Sequence, residues 1–416
     1  MKKIILLSLF VLFLLVLVFW KSNAGEIFSQ ENKQSWWQYQ IIDTMKFSRD
    51  PSREKLHDVS FDKVINEQVA KIAATGATHV AIATPYDEEF IPILQKWVLA
   101  ARKNGLGIWF RGNFSGWEGW FSYPKISREE HLEKTVAFIN QHSDLFQNGD
   151  IFSPCPECEN GGPGDPRRTG DIKGHRLFLI KEYQAMVSEF AKKSLKVTTN
   201  FNSMNLDVAK LIMDQYTTQQ LGGLVVIDHY VKTPEQLESD IVELAQKSRG
   251  KIVLGEFGAP IPDIHGPLTE LEQAQWIEES LRRIASIKEF LGLNYWVNVG
   301  GSTAIWQNDG QPKKAVEVLT KYFQPAIIRG KVNNTFRNPI KNAKVTYGIK
   351  EVFTDDRGSF ALPILETGNT LKVSISGYRE LSYPVESSDT ELSLVLEKEQ
   401  QSILENFLLF LLNLFP

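Results

Sequence analysis

Lys251-Ile252-Val253-Leu254-Gly255-Glu256-Phe257-Gly258 runs from a short apolar, β-branched stretch directly into a carboxylate set between two glycines. A run this short and this apolar reads as a strand covered on both faces, the habit of a parallel sheet. A charged residue at its end is not required by packing. Similar runs occur at Tyr39–Asp43, His79–Ala83, Leu106–Phe110, Asp150–Ser153, Leu195–Thr199, Leu224–Ile227 and Leu293–Val297, which makes eight. Amphipathic stretches separate them. Phe90, Ile93, Leu94, Trp97, Val98 and Ala101 fall on one helical face, as do Leu179, Tyr183, Met186, Val187 and Phe190, and again Ala274, Ile277, Leu281 and Ile284. Eight strand–helix units over about 290 residues predict a (β/α)8 TIM barrel. A doubly wound open sheet is the rival, and it would show a Gly-rich turn after the first strand. None is present there.

The flanks differ in texture. Lys2 and Lys3 precede an apolar run from Ile4 to Trp20, interrupted only by Ser8, and Ser22-Asn23-Ala24 comes next. That length is near the lower limit for a bilayer-spanning helix. A basic flank ahead of an apolar run implies export of the remainder of the chain, with either a cleaved signal peptide or a retained anchor over 1–24. The barrel is expected over 25–325. After Pro325 helical periodicity gives way to short alternating strands and turns, which predicts a small all-β sandwich over 326–399. A hydrophobic tail over 400–416 is too short to span a bilayer as a helix.

The 416-residue chain carries a net charge of −4 with no basic block, so nucleic acid is not an expected partner. Its two cysteines, in Cys155-Pro156-Glu157-Cys158, are too few for a structural zinc site; they read as a local disulfide or two unreactive thiols. No metal or cofactor is expected. The sequence sets no oligomeric state.

Barrel sites lie at the C-terminal ends of the strands. Besides Gly255-Glu256-Phe257-Gly258, those ends hold Arg111 after the third strand and Cys155-Pro156-Glu157-Cys158-Glu159-Asn160 after the fourth. Asn200 follows the fifth, Asp228-His229-Tyr230 ends the sixth, and Tyr295-Trp296 lies on the eighth. In these motifs the chain resembles clan A of the glycoside hydrolases, the group that includes the family 5 cellulases and mannanases. The resemblance implies a retaining hydrolase of β-linked glycans. Glu256 would be the nucleophile, and a glutamate after strand four the acid/base. His229, Tyr230 and Trp296 would line the cleft. Retaining hydrolysis requires two carboxyls on opposite sides of the scissile bond, one protonated and one ionised, and strands four and seven face each other across the mouth.

At strand four the sequence departs from the clan, which has Asn immediately before the acid/base. Pro156 precedes Glu157 and Cys158 precedes Glu159. Glu157 is favoured because it is nearer the strand end; Glu159 stays open. Asn160 or Asn200 is the candidate substitute for the missing Asn. Arg111 either holds Glu256 ionised or forms a structural ion pair. Asp263 and His265 receive no role. Trp117, Trp120, Phe121 and Tyr123 crowd the loop after strand three, and Trp306 follows strand eight. These rings are expected to stack on sugars, the alternative being a hydrophobic plug. A carbohydrate substrate, and a membrane met through the N-terminal segment, are the partners implied. Non-catalytic glycan binding on a decayed barrel, or transglycosylation, are the rival functions. The strands after Pro325 resemble the carboxypeptidase regulatory-like domain, through Gly330-Lys331-Val332, Thr354-Asp355-Asp356-Arg357-Gly358-Ser359-Phe360 and Leu371-Lys372-Val373. That family is an accessory module and implies no catalytic residue.

Overall fold

A computed structural model describes residues 35–386 and 391–399. The expected N-terminal signal or anchor and the hydrophobic tail lie outside the described residues. Among the described residues no helix is long and apolar enough to cross a membrane.

The first sheet contains β1 (Tyr39–Asp43), β2 (His79–Ile82), β3 (Gly107–Phe110), β4 (Ile151–Phe152), β5 (Thr198–Thr199), β6 (Asn202–Ser203), β7 (Leu224–Asp228), β8 (Lys251–Phe257) and β9 (Phe290–Tyr295). All its pairings are parallel, in the order β5-β4-β3-β2-β1-β9-β8-β7-β6. The two end members are neighbours in the chain, separated only by Asn200 and Phe201. They are halves of one interrupted strand, one bonded to each side, so the curled sheet occupies eight strand positions of an α/β barrel.

Helices α1 (Phe61–Ala74), α2 (Ile91–Lys103), α3 (Arg128–Gln141), α4 (Ile172–Lys192), α5 (Leu206–Ile212), α6 (Gln215–Gln220), α7 (Pro234–Ser248), α8 (Glu270–Ile284) and α9 (Lys314–Phe323) come between and after the strands. Local sequence sets their limits. Pro92 and Pro234 sit in first turns, where no amide donor is needed, and Ser127–Glu130 and Thr269–Glu272 form capping boxes. In α2 the buried face is Ile91, Ile93, Leu94, Trp97, Val98, Ala100 and Ala101. Each large aliphatic side chain buried this way stabilises the fold by roughly 1.5–3 kcal/mol. In α4 the expected apolar face is only partly right. Val187 is 43% exposed, while Glu182 is buried against His131 of α3 at 2.7 Å.

Inside the barrel, Tyr39, Ile41, Ala81, Trp109, Ile151, Val226 and Val253 form a separate apolar cluster. Strand side chains alternate in direction, so the residue two positions after each of these points inward one layer higher. Those residues are Asp43 after Ile41, Arg111 after Trp109, Ser153 after Ile151 and Asp228 after Val226. The filled barrel thus ends in a polar layer at its C-terminal mouth.

Strands β10 (Ala326–Asn334), β11 (Lys344–Tyr347), β12 (Lys350–Phe353), β13 (Ser359–Ile364), β14 (Thr370–Ser374), β15 (Leu381–Pro384) and β16 (Glu391–Leu396) follow the barrel. They form one sheet ordered β13-β10-β16 and another ordered β12-β11-β14-β15. Ile328, Val332, Leu362 and Leu394 from the first meet Val345, Tyr347, Leu371 and Val373 from the second in their own core. Small β-sheets thus follow the barrel, in the region where the sequence changes texture after Pro325.

Candidate active site

Arg111 is the centre of the mouth. Its side chain is fully buried, with Nη1 donating to Asp43 Oδ2 at 2.7 Å. Its Nη2 lies 3.3 Å from both Asp228 Oδ2 and Glu256 Oε1. Asp43 also accepts from Asn294 Nδ2 at 2.8 Å, and Asp228 from Asn202 Nδ2 at 2.8 Å. Tyr230 donates its hydroxyl to Glu256 Oε2 at 2.8 Å. Glu256 is therefore fixed at both oxygens, and its side chain keeps 13% exposure to the cleft.

A strand irregularity places Glu256 there. Ile227 pairs with Leu254, but Asp228 pairs with Glu256, so β8 carries one extra residue at Gly255. Without that bulge, the inward position two residues after Val253 would be Gly255 itself. Bulges of this kind re-aim side chains next to functional sites. The flanking glycines have packing reasons as well. A Cβ on Gly255 would fall 2.2 Å from Asn202 Nδ2 and 2.5 Å from Asp228 Oδ1, and one on Gly258 2.7 Å from the Trp296 carbonyl. Phe257 is wholly buried against Trp276 and Tyr295.

The electrostatics arise from one cation among many carboxyls. Burial opposes the Arg111 charge, but Asp228, Glu256 and Asp43 overcome it and hold the guanidinium more firmly protonated than usual. Burial, then the Glu256 charge, pushes Asp228 well above the usual carboxylate range, with Arg111 pulling it back and Glu157 adding to the rise. Burial pushes Glu256 up to about 7, against the pull of Arg111. Burial and the Glu256 and Glu157 charges thus all favour the protonated form of Asp228, against the pull of Arg111.

The two candidate acids separate. Glu157 is half-buried at the mouth, and its charge acts on Glu256, Asp228 and Glu118. Its backbone sits at φ 52°, which costs a non-glycine residue about 1–3 kcal/mol. Its amide donates to the Asn202 carbonyl at 3.2 Å, and Asn160 Nδ2 donates to its carboxylate. Glu159 is 3% exposed, with Oε2 unpartnered and Oε1 3.9 Å from His175 Nε2. Burial pushes it up to about 8.

Several expected cleft residues are placed differently. His229 turns away from the mouth and bonds Asp240 of α7 at 2.9 Å, while the adjacent Tyr230 turns in, since neighbours on an extended chain face opposite sides. Asn200 accepts from Ser153 Oγ at 2.8 Å within the barrel; the asparagine that reaches both Asp228 and the Glu157 turn is Asn202. Trp117 is 1% exposed, stacked 5.2 Å from Phe178 and covered by Gly161 and Gly162, so the plug alternative holds there and the expected sugar stacking does not. Trp306 is likewise buried. Trp120 stays half-exposed under the Arg49 guanidinium at 4.9 Å, and Trp296 half-exposed 6.1 Å from the Tyr230 ring.

Sequence reading gave no role to Asp43, Asp228, Asn202, Asn294 or Glu118. The alternation of inward strand residues points to the first two. Glu118 accepts from Asn113 Nδ2, and burial pushes it up to about 7 with the Glu157 charge adding to the rise. His131, Cys155 and Glu182 bring donor atoms within 4.8 Å of one another. Both His131 nitrogens are taken, by Glu182 and Asn113, and Cys155 is joined to Cys158 in a disulfide, so this trio is a packing network rather than a metal site.

No protein-family model and no curated protein sequence matches the chain. Its fold is similar to solved structures. A GH5_18 from Bifidobacterium longum subsp. infantis is 12% identical over 73% of this chain and 84% of that one, with a TM-score of 0.50. A GH5_18 from Bifidobacterium longum subsp. longum is 12% identical over 79% and 85%, with a TM-score of 0.48. A β-glucuronidase from Bacteroides uniformis is 11% identical over 80% of this chain, with a TM-score of 0.46. The chain spans 44% of the length of that last protein. At such identities the likeness is one of fold, an α/β barrel.

Proposed function

We propose that the chain is a retaining glycoside hydrolase of β-linked glycans. Glu256 attacks the anomeric carbon, and Glu157 protonates the leaving oxygen and then activates water. The observation that carries this reading is the double fixing of Glu256, by Arg111 on one oxygen and Tyr230 on the other, with the Glu157 carboxyl close enough to raise it. The two hydrogen bonds hold the ionised nucleophile in one orientation, and the neighbouring carboxyls keep a proton in the cluster for the leaving group. Arg111 and Tyr230 position the nucleophile, Trp296 and Trp120 offer partly open rings to the sugar, and Asn202 holds the Glu157 turn. Glu159 is the weaker acid/base candidate, being sealed behind the turn.

The N-terminal segment supports export, with the barrel outside the membrane, and the Cys155–Cys158 disulfide suits an oxidising compartment. The sandwich would serve as an accessory module.

The test compares the full chain with Glu256→Gln on β-linked glycans and aryl β-glycosides. Turnover in the first and its loss in the second is the expected result, with the β-anomer formed first. Turnover that survives Glu256→Gln overturns the mechanism. A second reading, glycan binding without turnover, is favoured by Pro156 standing where the clan has Asn. Binding by both proteins with no product would select it. Product transfer to an added acceptor sugar would select transglycosylation.

A further inference from the structure

Resting on the reading of Glu157 as the acid/base, the geometry points to the Cys155–Cys158 disulfide as the device that positions it. The bond closes a four-residue ring whose only other members are Pro156 and Glu157, with the cysteine Cα atoms 5.1 Å apart. That separation is within the span of a β-turn and of an unstrained disulfide. Pro156 fixes its own φ by its ring, and Glu157 follows at φ 52°. Proline and then a left-handed residue is the order of a type II turn, whose second central position favours glycine or asparagine. Glutamate has no such preference, so the conformation must be imposed from outside. The disulfide imposes it by joining the two ends of the turn.

The surroundings anchor the ring on both sides. Both cysteines are buried, at 0% and 2% exposure. The Cys158 carbonyl accepts from Trp117 Nε1 at 3.2 Å, and the Trp117 ring lies under Gly161 and Gly162. On the other side, the Glu157 amide reaches the Asn202 carbonyl, and its own carbonyl accepts from the Asn160 amide at 2.8 Å. Pro156 and Glu157 are thus the half-exposed centre of a turn whose covalent closure lies in the core. The ring supplies the fixed direction that a longer, open loop would leave to chance.

A misplaced acid/base has a signature that general loosening of the fold lacks. Protonation of the leaving oxygen matters for a poor leaving group, such as a sugar or alkyl alcohol, and hardly at all for 2,4-dinitrophenolate. The experiment is therefore Cys155→Ala/Cys158→Ala in the full chain against wild type, with turnover measured on both kinds of β-glycoside. Wild-type protein reduced by a phosphine provides the second arm: the disulfide becomes two thiols, water supplies their hydrogens and the oxygen of the phosphine oxide, and thiol titration verifies that the buried bond has been cleaved. Far-ultraviolet circular dichroism and a melt confirm folding in each arm. The expected result is a fall in kcat/KM of at least about tenfold on the poor leaving group, out of the hundred- to ten-thousand-fold that a general acid supplies. The change in kcat/KM on the dinitrophenyl glycoside should be under about threefold, because that constant ends at formation of the glycosyl-enzyme and leaves out the step in which Glu157 acts as base, and reoxidation should restore the reduced sample. Equal losses on both substrates, or none on either, in a folded protein would overturn the positioning role while leaving the hydrolase standing. If the variant does not fold, the reduced wild type decides by the same comparison. A wild type inactive on every glycoside would instead sink the functional reading on which this inference rests.

Discussion

Replacing Glu159 by Gln should stabilise the protein, by an amount that grows with pH. Glu159 is 3% exposed and its Oε2 has no partner. The nearest imidazole nitrogen, His175 Nε2 at 3.9 Å, offers no charge, because burial pushes His175 down to about 4. Burial raises Glu159 from 4.5 to about 8. Between those values the folded chain keeps a proton that the unfolded chain releases, so stability falls as pH rises and the loss is complete above about 8. At about 1.4 kcal/mol per unit, the burden is near zero at pH 4, about 2 kcal/mol at pH 6 and at most about 5 kcal/mol at pH 8. Gln has the shape of the protonated acid and does not titrate. Urea unfolding of both proteins at those three pH values reads the gap directly, since every other titrating group is shared. A gap that stays flat with pH, or a less stable variant at pH 8, would refute the assignment of a buried neutral acid. The same variant bears on catalysis: Glu159→Gln should retain turnover on a sugar leaving group, and Glu157→Gln should lose it.

Arg111→Met should destabilise the fold by about 3–5 kcal/mol, because it leaves Asp43, Asp228 and Glu256 buried without their cation, and denaturant unfolding at pH 7 would show it. Glu256 must be ionised to attack, so kcat/KM should rise with pH through about 7. The Tyr230 hydroxyl favours the ionised form, so Tyr230→Phe should move that midpoint up by about one unit, and an unmoved midpoint would detach Tyr230 from the nucleophile. Trp117→Ala should cost about 3–5 kcal/mol as a core truncation. Trp120→Ala should leave stability within about 0.5 kcal/mol and raise KM for a glycan, which steady-state kinetics would register.

The barrel was legible because strand and helix periods alternate from β1 to α9, broken only around strand five, and the change of texture at Pro325 comes just before the small sheets begin at Ala326. The site was legible where a residue type has no packing excuse: Glu256, Arg111 and Glu157 all reach the mouth. It was less legible where local letters hide direction. Adjacent His229 and Tyr230 must face opposite ways on an extended chain, and only one of them can enter the cleft. Trp117 lies among small residues that suggest an open loop, yet Gly161 and Gly162 are small because its ring lies against them. Strand five breaks at Asn200 and Phe201, so the inward asparagine is Asn202, a shift that no period announces.

Asp43 and Asp228 show what the mouth gains from residues that never touch the bond being broken. Arg111 carries one positive charge, and Asp43, Asp228, Glu256 and Glu157 surround the same small volume. Four acidic groups thus share one cation. Glycosidic cleavage passes through an oxocarbenium-like state whose ring carbon is positive, whereas the ground-state sugar is neutral. A fixed negative surplus in a partly dry cleft therefore favours the transition state over the bound substrate, the only kind of difference that raises kcat. Arg111 keeps that surplus from becoming unsustainable: it holds three carboxyls in place, and without it they would face one another with no cation between them. On this reading the buried network sets how much negative charge reaches the sugar, and the bulge at Gly255 decides which carboxyl delivers it.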